Sequence, residues 1–124
     1  MPTYDDNNIF ARILRKEIPN DTVLETPHTL VFRDIAPQAP VHVLVIPKGA
    51  YVSYDDFAQN ASDAEILDFN RAVARVTQDL KVSLDNGAGF RAITNSGAHG
   101  VQEVPHFHLH ILGGRPMGRM VERV

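Results

Sequence analysis

Near the end of the sequence three histidines alternate with apolar residues, His106-Phe107-His108-Leu109-His110, in a chain that holds six histidines in all. Successive side chains of an extended strand point to opposite faces. In that conformation His106, His108 and His110 share one face, while Phe107, Leu109 and Ile111 share the other and pack on the core. A surface strand with incidental histidines is a poor account, because nothing in strand stability selects histidine three times. Two chemistries suit such a row. One is a metal site. Positions two apart on a strand lie ~6.6 Å apart and could grip one zinc at ~2.0 to 2.1 Å per bond, but positions four apart are separated by ~13 Å. A metal would need a further ligand, which His42 could supply. The other chemistry is catalysis by imidazole itself, and it is the preferred reading, with no metal. Histidine titrates near neutral pH, so its neutral form is available as a nucleophile. A neutral ring meets no charge repulsion from an anionic phosphate, and a phosphorylated imidazolium is a good leaving group for the return step. Adjacent histidines can hydrogen-bond phosphate oxygens or protonate a leaving group.

A few other polar residues and glycines stand at positions that could serve such a site. His42 interrupts Val41-His42-Val43-Leu44-Val45-Ile46, an otherwise apolar run bounded by Pro40 and Pro47. A polar group buried in such a run needs a partner, and the histidine row is the natural one. Asp34 follows an apolar run and precedes Pro37, which suits a binding carboxylate or an Asx-turn. Gly97 and Gly100 flank a small polar loop whose bare amides could face an anion or simply make a turn. Phe10 and Ile13 on their own read as core. His28 and His99 read as solvent-exposed.

The elements that must position these groups are legible from patterning. Asn8 to Lys16 reads as a short helix capped by Asn7 or Asn8, with Ile9, Ile13 and Phe10, Leu14 as adjacent i,i+4 rows. Strands are expected at Thr22–Glu25, Thr29–Arg33, Val41–Ile46, Phe90–Thr94 and Val104–Leu112. The central run, Val41 to Ile46, is expected to be covered on both faces. Ser62 to Lys81 is the long helix. Ser62-Asp63-Ala64-Glu65 forms a capping box, and Ile66, Phe69, Val73, Val76 and Leu80 make one buried stripe. Short connections favour antiparallel pairing. The expected fold is therefore α+β, a mainly antiparallel five-stranded sheet with one long and one short helix, in a single domain over 1–124.

Composition bounds the function. The 124 residues include 44% hydrophobic and 22% charged residues with a net charge of −3, as in an ordinary globular protein. The absence of cysteine excludes disulfides and thiolate metal sites. With no broad basic excess, nucleic acid is not an expected partner. The basic groups Arg12, Arg15, Lys16 and Arg115, Arg119, Arg123 read as solvated faces. No apolar run approaches the ~20 residues that cross a membrane, and the polar, acidic start lacks the form of a signal peptide. The cytoplasm is the expected location, and no membrane partner is expected.

The strip His106-Phe107-His108-Leu109-His110-Ile111-Leu112 resembles the signature of the histidine triad (HIT) superfamily. Ile9-Phe10, Arg15-Lys16-Glu17-Ile18-Pro19, Asp34-Ile35-Ala36-Pro37-Gln38-Ala39-Pro40, His42, Ile46-Pro47, Gly100-Val101-Gln102-Glu103-Val104 and Gly113-Gly114-Arg115-Pro116 are similar, in order and spacing, to its nucleotide-binding HINT branch. The resemblance implies a HIT-like fold and a purine nucleoside phosphoramidase, which cleaves the P–N bond of a conjugate such as AMP joined to a lysine amine. It implies His108 as the nucleophile, His106 as the residue whose main chain orients it, and His110 beside the scissile bond and leaving group. His42 then supports the cluster. Asp34 corresponds to the ribose-binding carboxylate, and Asn95, Val101, Gln102 and Glu103 to groups at the α-phosphate and leaving group. Ile9, Phe10, Ile13, Phe32 and Ile35 correspond to the slot for the base. A purine nucleotide substrate, no cofactor and a homodimer with a joined sheet are also implied. Glu103 stands where vertebrate members carry a serine, and the tail has no tryptophan. The alternatives are a dinucleoside polyphosphate hydrolase, as in the fragile-histidine-triad branch, and an AMP-binding regulatory protein.

Overall fold

The computed structural model describes residues 1–123. Its elements run α1 (Ile9–Leu14), β1 (Thr22–Glu25), β2 (Thr29–Arg33), β3 (Val41–Pro47), α2 (Tyr54–Asn60), α3 (Asp63–Asp79), β4 (Phe90–Ile93) and β5 (Leu109–Gly113). The strands form one five-stranded sheet in the order β1-β2-β3-β5-β4. Every pair in it is antiparallel. The architecture is the expected α+β sheet.

Strand alternation divides the core in two. Val31, Val43, Val45 and Ile111 face one way and pack with Phe57, Phe69, Ala72, Val76 and Phe107. Leu30, Phe32, Leu44 and Ile46 face the other way and pack with Phe10 and Ile13 of α1. The central strand β3 is thus buried on both faces. Both predicted caps form. Asn8 accepts from the amides of Phe10 and Ala11, and the Ser62–Glu65 capping box is complete. No helix among the described residues is long and apolar enough to cross a membrane.

Two expectations need correction. The helix count rises by one, because α2 forms between the central strand and α3. Its N-cap is Ser53, whose side chain accepts from the Asp56 amide, and it buries Phe57 against Phe69 and Phe107. A seven-residue helix with a single large apolar anchor leaves almost no periodicity to read. The last strand is also shorter than expected, beginning at Leu109 rather than Val104. The β3–β5 register pairs Val45 with Leu109, so its continuation would set Pro47 opposite Phe107. Proline has no N–H to donate to a ladder. The Pro47 carbonyl instead accepts from His106 Nε2, and the Phe107 amide donates to Tyr51 O. His106 and His108 therefore sit in an irregular segment outside the ladder. Their alternation with Phe107 persists, since Phe107 enters the core on the α3 side.

Candidate active site

A cleft of about 530 Å³ opens on the α1 side of the sheet. Ile9, Phe10 and Ile13 of α1 line it together with Phe32 of β2, and Asp34 and Ile35 follow from the turn after β2. β3 contributes His42 and Leu44; His108, His110 and Leu112 come from the last strand and its approach; Asn95, Val101 and Glu103 come from the connection after β4. Of the residues singled out for the site in the sequence, His106, Gln102, Gly97 and Gly100 are not on its wall. A hollow of about 630 Å³ lies elsewhere, between Lys81, Phe90 and Arg115, but histidine and carboxylate are absent from its lining.

The hydrogen-bond network assigns a different protonation pattern to each histidine. His108 Nδ1 lies 2.8 Å from the His106 carbonyl oxygen. A carbonyl only accepts, so Nδ1 carries the proton and Nε2 keeps a free lone pair. Phe10 packs edge-to-face on this ring with centroids 4.9 Å apart, fixing its plane. Burial lowers the His108 pKa, so the ring is neutral at neutral pH.

His110 has the opposite arrangement. The Gln38 amide N–H donates to His42 Nδ1 at 3.1 Å. His42 must then carry its proton on Nε2, which lies 2.9 Å from His110 Nδ1 and donates to it. His110 in turn holds its proton on Nε2. Burial lowers the His42 pKa against the opposing pull of Asp34. Burial and the neighbouring histidines push His110 down to about 4. One cleft thus holds an imidazole with a free lone pair and an imidazole with a free N–H.

His106 is fully buried behind this wall, at 0% exposure. Its Nε2–H donates to the Pro47 carbonyl at 2.8 Å, and its Nδ1 accepts from the Tyr4 hydroxyl at 2.6 Å. Burial pushes its pKa down to about 4. It reaches the cleft only through its backbone oxygen.

Asp34 makes an Asx-turn and still presents a carboxylate oxygen to the histidines. Its Oδ1 accepts from the Ala36 amide at 2.8 Å, and its Oδ2 lies 3.4 Å from His42 Nε2. Asp34, His42 and His110 are the described residues best placed to hold a metal, with donor atoms within 4.8 Å of one another. Their protonation does not favour it. With the Gln38 amide on Nδ1, a cation at His42 Nε2 would have to displace the ring's remaining proton or break the Gln38 bond.

The connection between β4 and the histidines is braced by the side chain of Gln102. Gln102 Oε1 accepts from the Gly97 amide at 3.0 Å, and its Nε2 donates to Val52 O at 2.7 Å and Val104 O at 3.0 Å. That side chain is spent on tying the loop to itself and to the connection before α2. The brace holds Val101 at φ +58°, a left-handed conformation costly for a β-branched residue. Gly100 is needed beside it, because a Cβ there would lie 2.6 Å from the Ser96 carbonyl oxygen. The strained turn leaves Val101 exposed on the cleft wall, which the still more exposed Ile35 also lines.

Sequence reasoning missed Arg33, Gln38, Leu44, Ile93, Val104 and Leu112 as cleft residues. Leu44 and Leu112 follow once the register is known, since Leu44 pairs with His110 and His42 with Leu112. Gln38 acts through a backbone amide, which no residue type advertises. Tyr4 was also missed, lying in a segment that reads only as polar.

The HIT domain model matches residues 15–117, and the chain belongs to the HIT domain family. An uncharacterized 13.2 kDa HIT-like protein of Azospirillum brasilense is 52% identical over 121 residues, covering 98% of this chain and 97% of that protein. The purine nucleoside phosphoramidase of Escherichia coli K12 is 38% identical over 116 residues, 94% of each chain. Among solved structures, a HIT family hydrolase from Clostridium thermocellum superposes with a TM-score of 0.81 at 37% identity, over 95% of this chain and 99% of that one.

Proposed function

We propose that this chain is a hydrolase that cleaves the P–N bond of purine nucleoside 5′-phosphoramidates, such as AMP-lysine, through a nucleotidyl group carried on His108. The observation that carries the reading is the pairing of a free His108 Nε2 lone pair with a free His110 N–H on one cleft wall. The similarity to a phosphoramidase of E. coli supports the same substrate class.

In the first step His108 Nε2 attacks phosphorus and forms a P–N bond as the bond to the amine breaks. The amine departs with a proton taken from solvent. The His110 Nε2–H donates to the phosphoryl oxygens as charge builds on them. Water then attacks phosphorus, the P–His108 bond breaks, AMP leaves, and the water's second proton returns to solvent. No step calls on a cofactor. The low pKa of His108 keeps it unprotonated at neutral pH, ready to attack.

The remaining wall suits a nucleoside. Asp34 accepts from the ribose hydroxyls, and Ile9, Phe10, Ile13, Phe32 and Ile35 hold the base. Asn95, Val101 and the backbone of Gln102 border the α-phosphate, with Glu103 toward the leaving group, where its carboxylate favours a cationic amine. A homodimer joined through the open edge of β4 completes the reading; β4 ends the strand order and so offers an unpaired edge.

The test is a rapid-quench experiment with an adenosine 5′-phosphoramidate, read by mass spectrometry. An AMP adduct is expected on His108, lost together with turnover in His108→Ala, and turnover is expected to survive EDTA. Unchanged turnover in His108→Ala would overturn the assignment.

A further inference from the structure

The segment that carries His106 and His108 lies outside the β3–β5 ladder, so other bonds must hold it. Three come from the body of the fold. His106 Nε2–H donates to Pro47 O, the Phe107 amide donates to Tyr51 O, and the Thr94 hydroxyl donates to His108 O at 2.8 Å. The fourth comes from the N-terminal segment, where the Tyr4 hydroxyl donates to His106 Nδ1.

We propose that Tyr4 is a positioning residue for the reaction: by donating to the Nδ1 that the Pro47 carbonyl leaves unprotonated, its hydroxyl holds the His106 ring in place, and with it the His106 carbonyl that keeps the proton of His108 on Nδ1 and the lone pair on Nε2. This deepens the phosphoramidase reading and rests on it for its catalytic consequence.

The geometry is specific. The Tyr4 ring meets His106 edge-to-face with centroids 5.6 Å apart, and its hydroxyl reaches Nδ1 at 2.6 Å. The segment bearing Tyr4 is itself tied down. Asn8 Nδ2 donates to Asp5 O at 2.7 Å, the Asn7 amide donates to Asp5 Oδ1 at 2.9 Å, and Arg15 Nη1 donates to Asp6 O at 2.8 Å. Asn8 also caps α1, whose Phe10 packs on both His106 and His108. One stretch of chain therefore sets the ring behind the nucleophile and the ring in front of it.

Without the hydroxyl, His106 Nδ1 is a buried acceptor with no donor, a costly state. The ring can escape in two ways. It can move its proton to Nδ1 and lose the bond to Pro47, or it can take a second proton and become a cation beside His108. The first change releases the ring from Pro47 and lets it carry with it the 106–107 peptide, whose oxygen receives the His108 proton; the second sets a positive charge beside His108. A His108 ring released from that oxygen samples the tautomer in which Nε2 is protonated and cannot attack.

The experiment compares wild type, Tyr4→Phe and Tyr4→Ala. Long-range ¹H–¹⁵N spectra of the histidine rings are recorded on the free protein, and turnover is measured with an adenosine 5′-phosphoramidate. Tyr4→Phe keeps the ring packing and removes only the hydroxyl. The expected result is a shift of His106 Nδ1 away from its bonded position and a loss of the single His108 tautomer. With it, kcat should fall about fivefold to tenfold at nearly constant KM, the scale of one hydrogen bond. Tyr4→Ala should match Tyr4→Phe in kcat. Wild-type kcat and unchanged ring spectra in Tyr4→Phe, with loss only in Tyr4→Ala, would reduce Tyr4 to a packing residue and overturn the proposal. The spectra need no substrate, so an enzyme inactive on phosphoramidates would defeat the substrate reading while the tautomer result still decided the role of Tyr4.

Discussion

Acidification from pH 7 to pH 5 should weaken the fold by an amount traceable to His106. The ring is fully buried and its pKa is pushed from 6.5 down to about 4. Between those values the unfolded chain binds a proton that the folded chain refuses. Stability therefore falls as pH falls through this window and levels off only below pH ~4. At pH 5 the unfolded ring is almost fully protonated and the folded ring about one-tenth so, which gives a loss of about 2 kcal/mol relative to pH 7. His42, His108 and His110 are shifted in the same direction and add to it. The carboxylates whose pKa is lowered, Glu65 and Asp68 among them, act in the same direction but mostly below pH 5, because their unfolded values lie at 4.5 and 3.8. Urea unfolding followed by circular dichroism measures the effect. With a slope of about 1.5 kcal/mol per molar for a chain of this size, His106 alone moves the midpoint down by about 1.3 M. His106→Gln, neutral at every pH, should lose that part of the pH dependence whatever its own stability. Equal midpoint shifts in wild type and His106→Gln would refute the reasoning. If His106→Gln does not fold, an NMR titration of wild type reads the same quantity: a His106 ring that titrates above pH 6 would refute it.

Two further perturbations follow. His42→Ala removes the donor to His110 Nδ1 and leaves the Gln38 amide without its acceptor; kcat on the phosphoramidate should fall at least ~10-fold as His110 loses its fixed N–H, and a rate within twofold of wild type would show that the relay is idle. Val101→Gly releases a β-branched residue from φ +58°, and the relief should exceed the entropy cost of glycine by about 1 kcal/mol. Thermal unfolding should rise by a few degrees, and a lower midpoint would mean that Val101 is not strained.

The sheet was legible because its parts declare themselves locally. Proline on either side of Val41–Ile46 bounds the central strand, and the Ser62–Glu65 box with its apolar stripe marks α3. The site was legible as a set of residue types, since strict alternation of His106, His108 and His110 is readable from order alone. What was not legible depends on contacts between distant groups. Nothing at Val104–Leu112 announces that β5 will begin at Leu109, because the cause is Pro47, the residue that the β3–β5 register would set opposite Phe107. Nothing in α2 shows a period, because a single Phe57 carries its packing. Gln102 reads as a polar loop residue facing a ligand, yet its amide is consumed by Gly97, Val52 and Val104.

The division of labour among the histidines shows the same limit at the level of protons. The sequence contains three equivalent rings in a row. They become unequal because two hydrogen-bond chains reach them from opposite ends. One runs from His108 to the His106 carbonyl, and the other from the Gln38 amide through His42 to His110. Each chain is anchored on a backbone group, and a peptide carbonyl or amide does not titrate near neutral pH or trade donor for acceptor. The tautomers are thus fixed by groups that cannot change role. Each chain leaves its terminal ring with Nε2 as the unspent nitrogen, bearing a lone pair on His108 and a proton on His110. A variant that moves either anchor should therefore change which nitrogen is free without changing any residue on the cleft wall, and rate and binding should separate in such a variant more sharply than in any substitution of Ile9, Ile13 or Phe32.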